Sequence, residues 1–314
     1  MEFFRIKHDI PFMRYGKITT AISLLTFLFA IWALTAKGLN LGIDFTGGTV
    51  IETVFTQPVH IDQIRQKLEQ SNIHNATVQI FGASNDILIR LPVKNIHNNG
   101  KTSETVINAL KTIDPAVSLR RVDFVGPQVG QELYDNGALA LMVVAGGILI
   151  YLALRFEWRF ALAAIIANIH DVVIILGCFA FFQWEFNLTV LAGVLAVLGY
   201  SVNESVVVFD RIRENLRKMR KTAIPEIIDN AITTTMSRTV ITHGMTETMV
   251  LSMLLFGGDA LHNFALALTI GILFGIYSSV LVASPLLLML GVKREHFIKP
   301  VASKTSANNN GAQV

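Results

Sequence analysis

The run TVLAGVLAVLGYSVNESVVVFD, Thr189 to Asp210, is followed at once by the basic run RIRENLRKMRK, Arg211 to Lys221. The first run is long and apolar enough to cross a bilayer as one helix, yet it holds Tyr200, Asn203 and Glu204. A carboxylate at membrane depth costs a few kcal/mol even on the most lenient scale, so an intramembrane Glu is a functional candidate by default. The bland alternative is a Glu that pairs with a nearby cation or snorkels to the interface. On a 3.6-residue helix Gly193, Ala196, Gly199, Tyr200, Asn203 and Glu204 fall on one broad side. Small residues there let another helix approach. Leu191, Leu195, Leu198 and Val202 form the other side, suited to lipid or apolar packing.

Outward from this stretch, the whole chain has the composition of a polytopic membrane protein. Of its 314 residues 52% are hydrophobic and only 16% charged, against about 25% charged in soluble domains, and the mean hydropathy is +0.51. Cys178 is the single cysteine, which excludes an intrachain disulfide framework. Further apolar runs predict five more spans: about Ile18 to Ala36, Gly137 to Leu154, Phe160 to Phe182, Ile232 to Phe256 and Phe264 to Leu290, with Leu188 to Val208 as the fourth in order. The first run follows a basic start, residues 1–17. It is longer than the apolar core of a signal peptide and lacks a good small-x-small cleavage site, so it is read as an uncleaved helix.

Residues 37–136 differ in character. Thr49–Phe55 alternates as a strand does, Ile61–Leu68 has helical spacing, Ala76–Phe81 and Asp86–Leu91 read as a hairpin, Thr102–Ile113 as a helix and Val117–Val125 as a last strand. The order β-α-β-β-α-β predicts a ferredoxin-like α+β domain inserted between the first two spans. The expected organisation is a basic N-terminus (1–17), a first span (18–36), the inserted domain (37–136), five spans (137–290) and an irregular tail (291–314). His60, His74 and His97 are scattered and read as surface residues, with no metal or nucleophile spacing among them. The short turn around Arg155–Arg159, the Arg211–Lys221 segment and both ends carry Lys and Arg, while Gln183–Asn187 and Gly257–Asn263 carry none. By the positive-inside rule both termini lie in the cytoplasm and the inserted domain outside. The basic excess is thereby explained without nucleic acid.

Three predicted spans carry polar groups at depth: Asn168, His170 and Asp171; Asn203 and Glu204; Arg238, His243 and Glu247. Glu204 and Arg238 are each about six residues from the same end of consecutive antiparallel helices, which makes a Glu204–Arg238 ion pair geometrically easy. A carboxylate, an imidazole and a guanidinium in one bundle are the parts of a proton relay; a buried ion pair that only holds helices together is the alternative. Gly271, Gly275 and Ser279 recur every fourth residue as a helix-packing face, and Ser284-Pro285 predicts a local break in the sixth span.

Several segments carry a resemblance: GIDFTGGT (Gly42–Thr49), VGP from Val125 with Val129-Gly130, HDVVIILG (His170–Gly177), GYSVNESVVVFDRIREN (Gly199–Asn215), SRTVITHG (Ser237–Gly244) and GVKREH (Gly291–His296). Together they resemble the SecF family, the smaller subunits of the SecD–SecF complexes that assist bacterial protein export. The resemblance covers nearly the whole chain. It implies six spans forming half of an RND-like bundle in the bacterial inner membrane, with no cofactor and no enzymatic activity. The implied partners are a SecD-like six-span subunit, the SecYEG channel, exported unfolded polypeptide and protons. The implied activity is use of the proton-motive force to promote translocation. The family's intramembrane acid falls at Glu204, where many relatives carry Asp, and its span-five arginine at Arg238. His170, Asp171 and Asn203 complete the primary candidates; Asp210, His243, Glu247 and Asp44 are secondary, Asp44 as a partner-facing residue or a cap. A half-subunit of an RND-type small-molecule or lipid exporter is the alternative, though a single inserted domain is small for a drug-sized pocket. An intramembrane hydrolase would need GxSG, HExxH or GxGD motifs, and a pure scaffold leaves the buried polar groups unexplained.

Overall fold

The computed structural model describes residues 8–74, 76–81, 83–92 and 99–293. His97, Gly82 of the predicted hairpin and the tail from 294 lie outside them. Among the described residues six helical segments are long and apolar enough to cross a membrane by length and composition: Phe12–Ala36, Pro127–Arg155, Trp158–Phe182, Leu188–Lys218, Ile224–Phe256 and Ala260–Met289. The first is the 3-10 turn Phe12–Tyr15 running into α1 (Gly16–Ala36).

After α1 come the two-residue strand β1 (Asn40–Leu41), the short helix α2 (Ile43–Thr46), β2 (Gly48–Val54), α3 (Ile61–Gln70), β3 (Thr77–Ile80), β4 (Asp86–Leu91), α4 (Asn99–Lys111) and β5 (Ser118–Val125). The sheet order is β3-β4-β2-β5 and every neighbouring pair is antiparallel. That is the arrangement of a split β-α-β domain, as the order of sequence patterns predicts. Its core is Ile51, Phe55, Ile64, Leu68, Val78, Ile87, Ile89, Leu91, Val106 and Leu110 among others. These are the alternate residues of the strands and the i, i+4 residues of the two helices. His60 and His74 are exposed, as expected of surface histidines.

The membrane helices follow as α5 (Pro127–Arg155), α6 (Trp158–Phe182), the short strand β6 (Glu185–Phe186), α7 (Leu188–Lys218), α8 (Ile224–Phe256), α9 (Asp259–Ser278), a π-helical turn at Ser279–Ala283 and α10 (Ser284–Met289). Two of them start earlier than the apolar runs alone predict. Helix α5 begins ten residues before Gly137, because Gly126 is extended and Pro127 stands in the first turn, where its missing N–H costs nothing. Helix α8 likewise begins at Ile224-Pro225. A proline in the first turn, rather than hydropathy, marks both starts. At Ser284-Pro285 the break takes the form of the π turn, with Ser284 Oγ donating to the Ser279 carbonyl at 3.1 Å.

Helix α7 runs through the middle of the bundle, packed against α6, α8 and α9. The Gly271/Gly275 face of α9 lies on it: a Cβ on Gly271 would stand 2.3 Å from Val197, and one on Gly275 3.5 Å from Ser201. Helix α1 crosses α6 equally closely, since a Cβ on Gly177 would meet Ala30 at 2.4 Å. The faces of α7 differ from the simple two-sided expectation. Leu191 and Val202 are buried in apolar clusters of the bundle, and Leu198, Gly193 and Glu204 are buried too. Ala192, Ala196, Gly199 and Asn203 form the exposed stripe. A helix with neighbours on three sides buries both its leucines and its acid.

The sheet domain is seated on the helices by a compact junction. β1 pairs in parallel with β6, Asn40 opposite Glu185 and Leu41 opposite Phe186. Phe45 stacks on Phe186 and meets Tyr134 edge-on. Gly47 and Gly48 take φ of 67° and 132°, open to glycine and strained for other residues. A Cβ on Gly48 would also lie 2.5 Å from the Leu91 carbonyl oxygen, and one on Gly130 2.8 Å from the Gly47 nitrogen.

Candidate functional site

Glu204 is 4% exposed on α7 and faces α8. Its Oε1 accepts a hydrogen bond from Thr239 Oγ1 at 2.5 Å, and its Oε2 lies 3.9 Å from His243 Nδ1. Thr235, Thr239 and His243 recur every fourth residue on α8 and are all buried, so one stripe of that helix carries every polar group that meets the acid. His243 Nδ1 is 3.0 Å from the Thr239 carbonyl; a carbonyl only accepts, so Nδ1 carries the proton. Tyr200 packs edge-on against His243, with ring centroids 4.8 Å apart, and its hydroxyl donates to Thr246 Oγ1 at 3.1 Å.

The predicted Glu204–Arg238 pair does not form. Arg238 is exposed and makes no ion pair among the described residues. The depth estimate for the two residues leaves out helical phase. Arg238 precedes Thr239 by one residue, about 100° around α8, so when Thr239 faces Glu204 the guanidinium points away. It shares the outer side of α8 with Thr234, Thr242, Met245 and Met249, while Asn203 is exposed on α7.

A second cluster sits on α6. Asp171, 1% exposed, accepts from Ser201 Oγ of α7 at 2.6 Å and from Ser278 Oγ of α9 at 2.7 Å, both on Oδ2. Its Oδ1 lies 3.3 Å from His170 Nδ1. His170 stacks on Phe27 of α1. One carboxylate thereby ties together three helices, and its Ser278 partner immediately precedes the π turn. Ser201 and Glu204 are three residues apart on the same helix, so α7 serves both clusters. Asn168, one turn before Asp171, is buried with no partner for either side-chain atom.

The secondary candidates separate by location. Glu247, four residues beyond His243, is half-buried. Asp210 pairs with Arg155 at 2.6 Å, both about 40% exposed, and is a surface pair at the far end of α7. Asp44 is a cap: its Oδ2 accepts from the Leu188 backbone N–H at 2.9 Å, at the first turn of α7, where Asn187 already holds Val190 N. Beside it Arg90 of β4 forms an ion pair with Glu185 of β6. Burial holds the Glu185 carboxyl above the usual range, opposed by the Arg90 guanidinium and reinforced by the Asp44 charge. Sequence reasoning missed Thr239, Ser201, Ser278, Arg90 and Glu185. The first two were within reach, since Thr239 stands four residues before His243 and Ser201 three before Glu204; the others become visible only once the helices and sheet are packed.

The chain is similar to known proteins along nearly its whole length. Residues 105–293 match the model of the C-terminal region of the protein export membrane proteins SecD/SecF, and residues 32–59 match the SecD/SecF GG motif. The chain belongs to the SecD/SecF family. It is 43% identical to the protein translocase subunit SecF of Vibrio alginolyticus over 98% of both chains. It is 42% identical to the corresponding subunit of Haemophilus influenzae over 93% of this chain and 90% of that one. Among solved structures it resembles SecDF, a translocon-associated membrane protein from Thermus thermophilus, with a TM-score of 0.84 and 34% identity. That match covers 91% of this chain and 39% of the SecDF chain. A place in Sec protein export and in the bacterial inner membrane follows from this membership. In SecD/SecF terms the GG motif spans the junction: it contributes β1, the Asp44 cap and the two positive-φ glycines that let β2 start directly above α5.

Proposed function

We propose that this chain is the SecF-type half of a proton-driven export complex. It works beside a SecD-like six-span subunit and the SecYEG channel, with both termini in the cytoplasm and the sheet domain outside. Proton entry and release at Glu204 shift α7, and that shift is passed to the external domain, which acts on the exported unfolded polypeptide. The observation that carries this reading is Glu204, buried at 4% between α7 and α8 with Thr239 and His243 as the polar side chains against its oxygens among the described residues. An acid kept there at a cost of a few kcal/mol is explained by a task that needs its titration. The exposed Arg238 supports the same reading. A guanidinium at membrane depth costs roughly 2.5–3.5 kcal/mol unless it faces protein or water, so it faces the partner half, as does Asn203.

The energy suffices. One charge crossing the membrane potential releases roughly 2.3 kcal/mol per 100 mV, enough for several tens of fold in a two-state equilibrium at about 1.4 kcal/mol per decade. The Asp171 cluster, linked to α7 through Ser201, is the second station of the relay or the hinge about which α7, α6 and α9 move. The test is export into inverted membrane vesicles with and without a proton gradient. Glu204→Gln is expected to leave the complex assembled and abolish the gradient's stimulation, whereas Glu204→Asp retains most of it. Full gradient dependence in Glu204→Gln would make the residue structural.

A further inference from the structure

Glu204 is the inner end of a longer polar line. Thr239, His243 and Glu247 recur every fourth residue on α8, so they share one stripe with a step of about 6 Å. Thr239 and His243 meet the acid at its two oxygens. Glu247 is the next group along, toward Phe256, the end of α8 that runs into the Lys- and Arg-free turn Gly257–Asn263. By residue count Glu247 lies about 14 Å from that end of the helix and Thr239 about 26 Å. His243 stands between them.

Two polar atoms on this line have nothing to bond. His243 is 3% exposed, and its Nε2 is buried with no hydrogen-bond partner among the described residues. Because Nδ1 carries the ring proton, Nε2 is a bare acceptor. The half-buried Glu247 faces Thr269 of α9, but its Oε2 is buried and completes no hydrogen bond. The neighbours of the stripe are hydroxyls and one acid. Helix α7 brings Glu204 and Tyr200, whose ring lies edge-on to His243 and whose hydroxyl bonds Thr246. Helix α9 brings Thr269, and α8 itself Thr242, 3.4 Å from His243 Nδ1. Among the described residues Glu247 forms no ion pair, so helix pairing through charge does not account for it. Buried polar atoms left unbonded are rare in native proteins, and a catalytic role or bridging water is the usual reason.

We infer that Glu247 and His243 form the outer half of a proton wire ending at Glu204, with Glu247 as the group that takes protons from the outer side. The inference rests on the titration of Glu204 and the orientation proposed above. Protonated Glu247 gives its proton, directly or across one water, to His243 Nε2. The imidazolium releases its Nδ1 proton to Glu204 Oε2, so one proton enters the ring as another leaves, and Glu247 is left as a carboxylate ready for the next. Ring rotation and proton exchange with water restore the starting tautomer. An imidazole suits the middle position because it accepts on one nitrogen while donating from the other near neutral pH. The last gap, 3.9 Å from Nδ1 to Oε2, is about 1 Å beyond hydrogen-bond reach. A small shift of α7 against α8 therefore makes or breaks the wire, which ties proton entry to helix position.

The experiment uses the complete complex in oriented vesicles, with proton flux read from an entrapped pH dye beside gradient-stimulated export. Glu247→Gln and His243→Asn are each expected to lower flux at least tenfold at unchanged complex yield, and Glu247→Asp to restore most of it. The double variant Glu247→Gln with His243→Asn is expected to lose no more than either alone, as two links of one wire do; independent packing roles would multiply their losses. Multiplied losses, or no recovery in Glu247→Asp, overturn the inference. So does wild-type flux in both single variants while Glu204→Gln abolishes it, which leaves Glu204 as the titrating group and moves its outer access elsewhere. Wild-type flux in Glu204→Gln overturns both proposals.

Discussion

At the residue scale the acid and its hydroxyl partner form the unit to test. Thr239 donates a direct hydrogen bond to Glu204, and a buried carboxylate stripped of a donor loses roughly 1–3 kcal/mol. Thr239→Val is expected to lower gradient-driven export by about tenfold or more, while Thr239→Ser, which keeps the donor, restores most of it. The measurement is the same vesicle assay, with complex yield as the control for folding. Equal loss in both variants would assign Thr239 to packing. Arg238 illustrates how much one residue of phase matters: the cation stands beside Thr239 in sequence and on the other side of the helix in space.

Among elements, the junction between β4, β6 and the start of α7 decides whether motion of α7 reaches the sheet domain. Arg90 and Glu185 have only 10% and 18% of their side chains exposed, and breaking such a pair by removing one partner costs up to about 3–5 kcal/mol. Arg90→Met is expected to loosen the sheet domain from the helices, seen as faster proteolysis within residues 37–48. The pH dependence follows from the sign of the shift. Burial already raises the Glu185 carboxyl and Arg90 opposes that rise, so the variant raises it further. The docked state then holds its proton more tightly than the undocked one. Docking in Arg90→Met is therefore strongest in acid and weakens as pH rises through the elevated value. Protease resistance greater at pH 8 than at pH 5 would refute this. Glu185→Gln combined with Arg90→Met removes the buried charge and is expected to recover part of the loss.

For the whole molecule, the consequence is topology and halfness. The six apolar helices leave Arg238 of α8 and Asn203 of α7 exposed, the side on which the proposed SecD-like half is expected to pack. The distribution of Lys and Arg predicts that exposed Ser84 and exposed Lys218 lie on opposite sides of the membrane. Cysteines introduced at these two positions are expected to react with a membrane-impermeant maleimide from outside intact cells at residue 84 and only after permeabilisation at residue 218. The reverse pattern would invert the bundle and with it the direction of the proposed proton path.

Much of this molecule is determined by its sequence alone. Hydropathy marks all six spans because lipid forces backbone groups to be satisfied within each helix, so length and composition carry the signal. Alternation and helical spacing likewise give the β-α-β-β-α-β order, since each element's buried face is written into its own residues. The GYSVNES run identifies Glu204 because an acid in an apolar run is conspicuous. What surrounds that acid was decided only by tertiary structure. Thr239 in place of Arg238, Ser201 and Ser278 around Asp171, Asp44 capping a helix 144 residues later, and Arg90 meeting Glu185 all depend on the relative rotation of packed elements. Rotation is set by many small contacts, such as Gly271 on Val197 and Gly177 on Ala30, and one residue's shift turns a side chain by about 100°. Periodicity says that a helix has a buried face; only the neighbours decide which groups meet across it.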